Sequence, residues 1–557
     1  MKKINIIFTS ILLLTGCSGF LEPDDKGGIT NNDLYSSRIG YETLITASYS
    51  SLRSTYGGVP YLLFAGTDLY VGDIGNPNTN RSVFLYDLFP NTNHVNTFYS
   101  DCYGAIQRFN MALYYNDLPK DMDDALRAQY KSEMRFLRAF YHFLLVEQFG
   151  GVTINQEATL SPRTNMPRNT LAECYEFIIS EIEDCIGALG KNTVGRVNQD
   201  VANHYLAKIY LTRGWDLGNS DDFTKAKMYA QKVFDSRGEI VLTYEDLWSW
   251  QNENNSEIIF AVQYDVKSIP STTGGNSQQE YGPYLGGVET LTKGTNRVGF
   301  PGWGMRMWYT ENDSRWETSF MTTIYERYFD YYHVADKTSL TVRAYYPRLW
   351  DRDWTQDDTD AWLATHVTTP TFYMRPHYND EESYRNGNFS VGTQNMWTSQ
   401  IKKFDSPASS DYAYQGRSSV RDIVLARLGE TYFLYAEACI GLNDFTTAAI
   451  YVRKVINRPG NALSETLPNA LEGATTREEA LHGYLKESGK EFIGEYTARW
   501  PELRRTGMLK FMLERYNYDI ATLGYTLDYN KYKLRPIPED AILLNDALSK
   551  ADQNPGY

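Results

Sequence analysis

The central part of the chain carries indole and phenol rings among asparagine, aspartate, glutamine and arginine residues. The rings in this setting are Trp303, Trp308, Trp350, Trp354, Trp362, Tyr281 and Tyr284. The apolar face of a pyranose stacks on an aromatic ring, while amide, carboxylate and guanidinium groups pair with its hydroxyls. This combination favours carbohydrate as the ligand class. For each ring, the alternative is a place in a small satellite core of a loop-rich region.

A second segment of this kind runs from Tyr70 to Arg81, between two aromatic stretches. It is rich in glycine, asparagine and proline, the residues that form turns. It is therefore either part of a binding face or a solvated loop.

One acidic segment resembles a calcium-binding loop, because hard cations bind clustered carboxylate oxygens. Its members are Asp351, Asp353, Asp357, Asp358 and Asp360. The glycine and the final glutamate of such a loop are missing, and Trp362 stands at the twelfth position. A solvated acidic loop is the favoured interpretation, and a structural calcium ion is the alternative.

Glu491, Glu495 and Arg499 recur every four residues, a spacing that predicts one shared helix face. Paired carboxylates can serve acid–base catalysis or a bridged metal. The neighbouring Arg499 instead favours an ionised, paired Glu495, so we predict structural salt bridging. The sequence contains no CxxC, CxxCH or HExxH motif, and its seven histidines show no ligand spacing. We therefore predict no cofactor and no catalytic residue.

The composition indicates a folded protein that does not bind nucleic acid. The 557-residue chain is 42% hydrophobic and 22% charged, which is enough apolar material for an extensive core. Its net charge of −15 disfavours contact with nucleic-acid phosphates or anionic lipid. Aromatic residues make up 14% of the chain, more than a core usually requires. Four cysteines are predicted to be buried, unpaired thiols: Cys102, Cys174, Cys185 and Cys439.

The N-terminal residues form a targeting signal. Lys2 and Lys3 precede an apolar run from Ile4 to Leu14, which is too short to span a bilayer. The sequence Leu-Thr-Gly-Cys that ends at Cys17 matches a bacterial lipobox, in which the cysteine is lipidated. We predict a signal peptide at 1–16 and a lipidated, flexible tether at 17–30, which anchors the protein to a membrane without crossing it.

Helical periodicity dominates the flanks of the central region. Apolar residues spaced by three and four predict one helix from Met122 to Phe149 and another from Thr170 to Leu189. Thr170 and Glu173 have the spacing of a capping box. The run Glu257–Tyr264 (EIIFAVQY) predicts a short strand.

Residues 222–233 and 444–455 are copies of one repeat, D-F-T-x-A-x-x-Y-x-x-K-V, identical at seven of twelve positions. Each copy follows another helical pattern with small residues on its apolar face, as in tetratricopeptide-type helix pairs. We predict a mostly α protein with a tetratricopeptide-like helical-repeat scaffold, a long loop-rich insertion and a few short strands. The scaffold occupies residues 31–264 and 420–557, and the ligand-binding insertion occupies 265–419.

Several motifs together resemble the SusD/RagB (starch-utilisation-system D-like) outer-membrane lipoproteins of Bacteroidetes-type bacteria. The similar segments, which extend over nearly the whole chain, are the lipobox, the E-x-R-F-L-R-A run at 133–139, R-L-G-E-T-Y at 427–432, K-E-F-I-G-E at 490–495 with R-W at 499–500, and the C-terminal N-P-G-Y. The chain departs from the family pattern at Lys490 and Tyr496, where arginine and glycine are common, and at Pro501-Glu502.

The resemblance implies a non-catalytic, glycan-binding lipoprotein of the outer membrane that faces the cell exterior. Its implied partners are an oligosaccharide or polysaccharide, a SusC-like TonB-dependent transporter, and outer-membrane lipid through Cys17. Ligand residues vary within the family, so the resemblance assigns ligand binding only to two regions and to no individual residue. These regions are the loop after Asp68 and the central insertion around Trp303. Within them we predict that the ligand contacts Trp303, Tyr284, Arg306, Tyr70, Asp73 and Asn76. The alternatives are a peptide-capturing lid of the same fold or, less favoured, an all-helical glycoside hydrolase.

Overall fold

The computed structural model describes most of the chain from residue 30 to the C-terminus. The described residues are 30–58, 60–71, 81–191, 194–265, 275, 300–301, 308–325, 327–345, 348, 350, 357, 361, 364, 400–405, 407, 419–461, 467–496, 498–517, 520 and 526–557. They are mostly helical with a few short strands, which confirms the predicted fold class. Within these ranges, no helix is both long enough and apolar enough to cross a membrane.

The N-terminal helices begin and end close to their predicted positions. In chain order the elements are α1 (Asn31–Tyr35), α2 (Arg38–Gly57), α3 (Tyr61–Phe64), β1 (Tyr70–Val71), α4 (Arg81–Phe84), α5 (Asn93–Tyr114), α6 (Asp124–Phe149) and α7 (Leu171–Cys185), the last followed by a 3-10 turn (Ile186–Ala188). Asp123 caps α6 by accepting the N–H of Leu126, and Gly150 ends it at a φ of 74°. At the start of α7, Thr170 and Glu173 form the predicted capping box.

The remaining elements alternate between long scaffold helices and short pieces of the central region. They are α8 (Gln199–Leu217), α9 (Ser220–Arg237), α10 (Tyr244–Leu247), β2 (Ile258–Val262), β3 (Phe300–Pro301), α11 (Ser314–Ser319), β4 (Phe320–Met321), β5 (Thr323–Tyr325), α12 (Asp330–His333), β6 (Val342–Tyr345), β7 (Gln400–Ile401), β8 (Ile423–Arg427), α13 (Leu428–Gly441), α14 (Phe445–Ile456), α15 (Arg477–Phe492), α16 (Arg499–Arg505), α17 (Leu509–Tyr516) and α18 (Glu539–Leu543). The predicted strand is observed as β2.

The two copies of the sequence repeat form two packed helix pairs, α8 with α9 and α13 with α14. Helix α9 also packs on α13, so the pairs are neighbours although the central region separates them in sequence. Phe223 of α9 fits between Gly214 and Gly441, where an added Cβ would lie 2.9 Å and 2.8 Å from its ring. Small residues therefore let these helices approach closely, as the repeat pattern predicts.

The chain passes from the scaffold into the central region along β2 and returns along β8, and we call this pair of strands the neck. β2 pairs antiparallel with β8, with Ile258 opposite Arg427 and Val262 opposite Ile423. Three other two-stranded pairs are β1 with β3, β4 with β7 and β5 with β6, and all of their strands except β1 belong to the central region. The pairs β1 with β3 and β4 with β7 join segments that are distant in sequence, so they fix where parts of the central region lie.

Most buried apolar side chains form one core that extends through the scaffold helices and into the central region. A second, small core contains Met321, Ile324, Tyr328 and Phe329. Cys102, Cys174, Cys185 and Cys439 are buried free thiols, as predicted. Burial raises the pKa of each of these four thiols, so they act as small apolar side chains.

Candidate functional site

Two short strands, one at the start of each predicted binding segment, pair with each other. β1 pairs antiparallel with β3, and Tyr70 lies opposite Pro301. Residues 72–80 follow β1 directly and residues 302–307 follow β3, so both segments start from one small sheet. β7 lies beside β3 and pairs with β4, which adds the end of the central region to the same group of strands.

Most of the predicted functional residues lie outside the described residues and stay predictions. They are Asp73, Asn76, Tyr284, Trp303 and Arg306 for the ligand, and Cys17 for lipidation. The structure does describe the strands from which the two loops start, and it describes Tyr70.

Tyr70 lies in the core, whereas the sequence predicts that its ring contacts the glycan. Its side chain is 1% exposed and packs edge-on against Phe64, with 5.1 Å between ring centroids. Its hydroxyl oxygen accepts the N–H of Gly494 at 2.5 Å. Burial raises the pKa of the phenol. A ring packed in this way offers no open face to a sugar, so Tyr70 anchors β1.

A buried ion pair holds the segment that leads into β1. The two carboxylate oxygens of Asp68 accept from Nε and Nη2 of Arg499 at 2.9 and 2.6 Å. Arg499 also donates to Glu502 at 2.6 Å. The pKa of Arg499 is raised, because the effect of the Asp68 and Glu502 carboxylates outweighs that of burial, which alone would lower it. Because a bidentate pair fixes both partners, α16 sets the position of the loop root.

The other predicted rings differ in exposure. Trp308 is 5% exposed and lies edge-on to Tyr516, with 5.0 Å between ring centroids. A Cβ at Gly489 would lie 2.5 Å from the Trp308 indole, so this glycine makes room for the ring. Trp350 is only partly buried, and its ring lies edge-on to that of Trp316, with 5.5 Å between ring centroids. Trp308 is therefore a core residue. The rings outside the described residues are Trp354, Trp362 and Tyr281.

A buried network of charged side chains fastens the central region to the scaffold. At its centre, Oε1 of Glu491 accepts from Arg427 Nη1 at 3.0 Å and from Arg458 Nη2 at 3.2 Å. Arg315 of α11 brings its Nη1 to 3.6 Å from Oε2. The other members are Glu257, Asp313, Lys403, Glu487, Lys490 and Glu495. Each member is at most 4% exposed. A buried charge needs a partner, so this network ties both ends of the central region to α15.

Glu491, Glu495 and Arg499 form structural ion pairs, as predicted, but they do not share one helix face. α15 ends at Phe492, so Glu495 lies in the following turn and Arg499 begins α16. Glu495 accepts from Lys403 at 2.8 Å and from Arg427. The prediction that Arg499 pairs with Glu495 is wrong, because the helix stops between them.

Burial shifts the pKa of one cation in this network into a range where it titrates. Burial lowers the pKa of Lys403 to about 8, although Glu495 opposes the shift. The pKa of Glu491 is lowered, because Arg458, Arg427 and Arg315 outweigh the effect of burial. The carboxylate at the centre of the network is therefore ionised at neutral pH.

The neck contains a second titrating group. The carboxylate of Asp422 accepts the N–H of Tyr264 at 2.7 Å, immediately beyond β2. Glu253 accepts the N–H of Asp422 at 3.0 Å and Nε of Arg421 at 2.5 Å. Burial and the nearby Glu253 raise the pKa of Asp422 to about 7. The neck therefore gains a buried negative charge as the pH passes neutrality.

One buried cluster has the residue types of a catalytic triad. Thr431 Oγ1 lies 2.8 Å from His204 Nδ1, and His204 Nε2 lies 3.2 Å from Glu430. Lys208 donates to Glu430 at 2.9 Å. Burial opposes ionisation of Glu430, but Lys208 and His204 lower its pKa to about 2. Thr431 and His204 are both 0% exposed, so the hydroxyl reaches no substrate and the cluster serves the packing of α8 on α13.

No three metal-ligating side chains converge anywhere in the described ranges. Of the acidic loop, Asp357 is described and exposed, while Asp351, Asp353, Asp358 and Asp360 lie outside the described residues. The calcium alternative at this loop stays a prediction.

Two family models match the chain. One, SusD-like and described as starch-binding associating with outer membrane, matches residues 25–211, and the other, the SusD family, matches residues 256–557. The second match covers more than half of the chain. The chain belongs to the SusD family. The resemblance noted in the sequence motifs is thereby confirmed.

Known relatives of this SusD-family chain are distant in sequence but match over long stretches. SusD-like protein P2 of Formosa agariphila is 24% identical over 575 residues, covering 100% of both chains. The starch-binding protein SusD of Bacteroides thetaiotaomicron is 26% identical over 470 residues, covering 80% of this chain and 76% of that protein. A solved laminarin binding SusD-like protein matches with a TM-score of 0.65 at 20% identity, over 94% of this chain and 100% of that one. At this identity, the structural match shows the shared fold.

Proposed function

We propose that the protein captures oligosaccharide or polysaccharide at the cell surface and delivers it to a SusC-like TonB-dependent outer-membrane transporter, without catalysis. Membership of the SusD family supports this proposal. The names of two relatives also support it, since one protein is called starch-binding and the other laminarin binding.

The observation that carries the proposal is the pairing of β1 with β3, the two strands that directly precede the aromatic, amide-rich segments in sequence. The root of the first loop is held in place, because Asp68, Arg499 and Tyr70 are buried and hydrogen-bonded. A rigid root lowers the conformational entropy that the loops lose when a ligand binds.

The proposed mechanism is stacking on loop rings such as Trp303 and Tyr284, with hydrogen bonds from Arg306, Asp73 and Asn76 to the sugar hydroxyls. Each contact is modest in strength. Weak, reversible binding suits a protein that must release its ligand to a transporter.

Calorimetric titration of the purified full chain with maltoheptaose and laminarihexaose tests the loop assignment. We expect Trp303→Ala to weaken binding at least about 10-fold, as truncation of a central aromatic contact does. Trp250→Ala is the matched control, because Trp250 is 39% exposed and outside both loops. Undiminished affinity in Trp303→Ala would remove Trp303 from the site. Capture of peptides but no glycan would favour the peptide-binding alternative.

Membrane attachment and the partner are tested separately. We expect Cys17→Ser to release the protein from the membrane fraction, because the proposed lipid is the only anchor assigned to it. The wild-type protein, extracted in detergent, should co-purify with the TonB-dependent transporter encoded beside it. Incubation with polysaccharides should produce no new reducing ends, and their appearance would contradict a non-catalytic role.

A further inference from the structure

A patch of tyrosine and lysine side chains lies in the central region, next to the strands of the candidate site. α12 and the following turn contribute Tyr331, Tyr332 and Lys337, and the residue after β7 is Lys402. β7 lies beside β3, which pairs with β1. The patch therefore adjoins the small sheet from which the two predicted loops start.

Two ammonium groups converge on one phenol ring. Lys402 Nζ donates to the Tyr331 hydroxyl at 2.8 Å and lies 4.6 Å from the centroid of that ring. Lys337 Nζ lies 5.4 Å from the same centroid and donates to the carbonyl oxygen of Val334. Neither lysine forms an ion pair with a carboxylate of the described part of the chain. Within the described residues, no carboxylate competes with an anionic ligand for these two charges.

The carboxylates of this segment are directed towards other donors. Asp405 accepts from the Tyr332 hydroxyl at 2.7 Å. Asp330 lies 3.7 Å from Nε of Arg327, and Asp336 caps the 3-10 turn that follows it. The two lysines are thus not neutralised by their own segment.

The aromatic part of the patch is fixed before any ligand binds. Tyr332 is 36% exposed, and its hydrogen bond to Asp405 holds the ring in place. Its ring lies nearly perpendicular to that of Tyr331, with 4.9 Å between centroids and an interplanar angle of 78°. The small core around Tyr328 and Phe329 packs against Tyr331, and the ring of Phe329 lies 6.4 Å from that of Tyr332 between centroids. A partly exposed tyrosine ring that packs against the phenol bearing two cations suits a sugar with a negatively charged substituent.

We infer that this patch binds an acidic sugar residue of the captured glycan, with Lys337 and Lys402 on a carboxylate or sulfate group and Tyr332 against the pyranose face. The inference rests on the proposed glycan binding and narrows the substrate class to anionic glycans. The net charge of −15 repels polyanions at long range, so such binding depends on these local cations.

Affinity electrophoresis of the full chain tests the inference, with gels that contain polygalacturonate, dextran sulfate, laminarin or starch. We expect at least one of the two polyanions to retard the protein. Polygalacturonate carries carboxylate groups and dextran sulfate carries sulfate groups, so comparing the two retardations shows which group is recognised. The Lys337→Gln/Lys402→Gln variant should bind that polyanion about 2- to 30-fold more weakly, the sum expected of two surface charge pairs. Its affinity for a neutral glycan should stay within twofold.

Two further variants control for charge and for folding. Lys131→Gln/Lys225→Gln removes the same charge from exposed scaffold positions and should bind as the wild type does. Lys337→Arg/Lys402→Arg keeps the charge and should restore binding. Retardation by neutral glycans alone would overturn the inference and leave the proposed function standing. Equal losses in the patch variant and in the scaffold control would also overturn it. Binding to no glycan at all would overturn both.

Discussion

Replacing Glu491 by glutamine should produce a large loss of stability, because it removes the central anion of the buried network. The substitution leaves Arg427, Arg458 and Arg315 facing a neutral amide, and all three guanidinium groups are at most 1% exposed. At 3.0 and 3.2 Å, each of the two closest contacts is worth about 5 kcal/mol before desolvation, at an effective dielectric constant of about 20.

The net effect is smaller, because the desolvation of Glu491 is no longer required. Measurements on buried pairs that lose one partner give about 3–5 kcal/mol, which we take as the expected destabilisation. Unfolding entropy of about 2.1 cal/mol/K per residue gives about 1.2 kcal/mol/K for this chain length. Glu491→Gln should therefore lower the melting temperature by about 3–4 °C.

Differential scanning calorimetry of the purified chain measures this shift. Glu478→Gln, in the first turn of the same helix and exposed, is the control, and it should cost no more than about 1 kcal/mol. Limited proteolysis should cleave the central region faster in Glu491→Gln, because the network fastens that region to α15. Equal melting temperatures for the two variants would refute the assignment of the network as the fastening.

Other substitutions test the loop root and the neck. Tyr70→Phe should destabilise the protein by about 1–3 kcal/mol in urea unfolding, because the buried N–H of Gly494 loses its acceptor. Its glycan affinity should change less than twofold. A large loss of affinity would return Tyr70 to the binding site. Asp68→Asn should cost about 3–5 kcal/mol in the same assay, because Arg499 loses a buried anionic partner, and a cost below about 1 kcal/mol would contradict that pairing. Asp422 binds its proton more tightly when folded, with a pKa of about 7 against 3.8, so wild-type stability should fall between about pH 4 and pH 7. The fall in wild-type stability reaches up to about 4 kcal/mol, and Asp422→Asn should abolish it, since the amide oxygen still accepts from Tyr264 but the side chain no longer titrates. Parallel stability–pH profiles for the wild type and Asp422→Asn would contradict the raised pKa of Asp422.

The sequence predicted the scaffold well, because helices follow local rules. Periodicity located α6 and α7, and the capping box at Thr170 is present. The repeat at residues 222–233 and 444–455 predicted two helix pairs, and both are observed. Four cysteines predicted to be buried free thiols are so. The errors concern helix ends, as at Phe492, where the next residues turn away and separate Glu495 from Arg499.

The candidate site was less predictable, because its parts come from distant segments. Strands of two residues, such as β1 and β3, carry no periodic signal, so their pairing is not visible in the sequence. The patch around Tyr331 was missed, although the run Y-F-D-Y-Y-H at 328–333 is a dense aromatic signal. Its partner Lys402 lies some 70 residues later, and only the folded chain brings the two together.

By itself, the sequence determined the helical repeat scaffold and the family, because caps, periodicity and motifs act within short segments. Only the tertiary structure decided that Tyr70 is buried, which cations Glu491 meets and which lysines flank Tyr331. Burial and ion pairing depend on what packs against a residue from elsewhere in the chain. Tyrosine therefore forms core at Tyr70 and exposed surface at Tyr332.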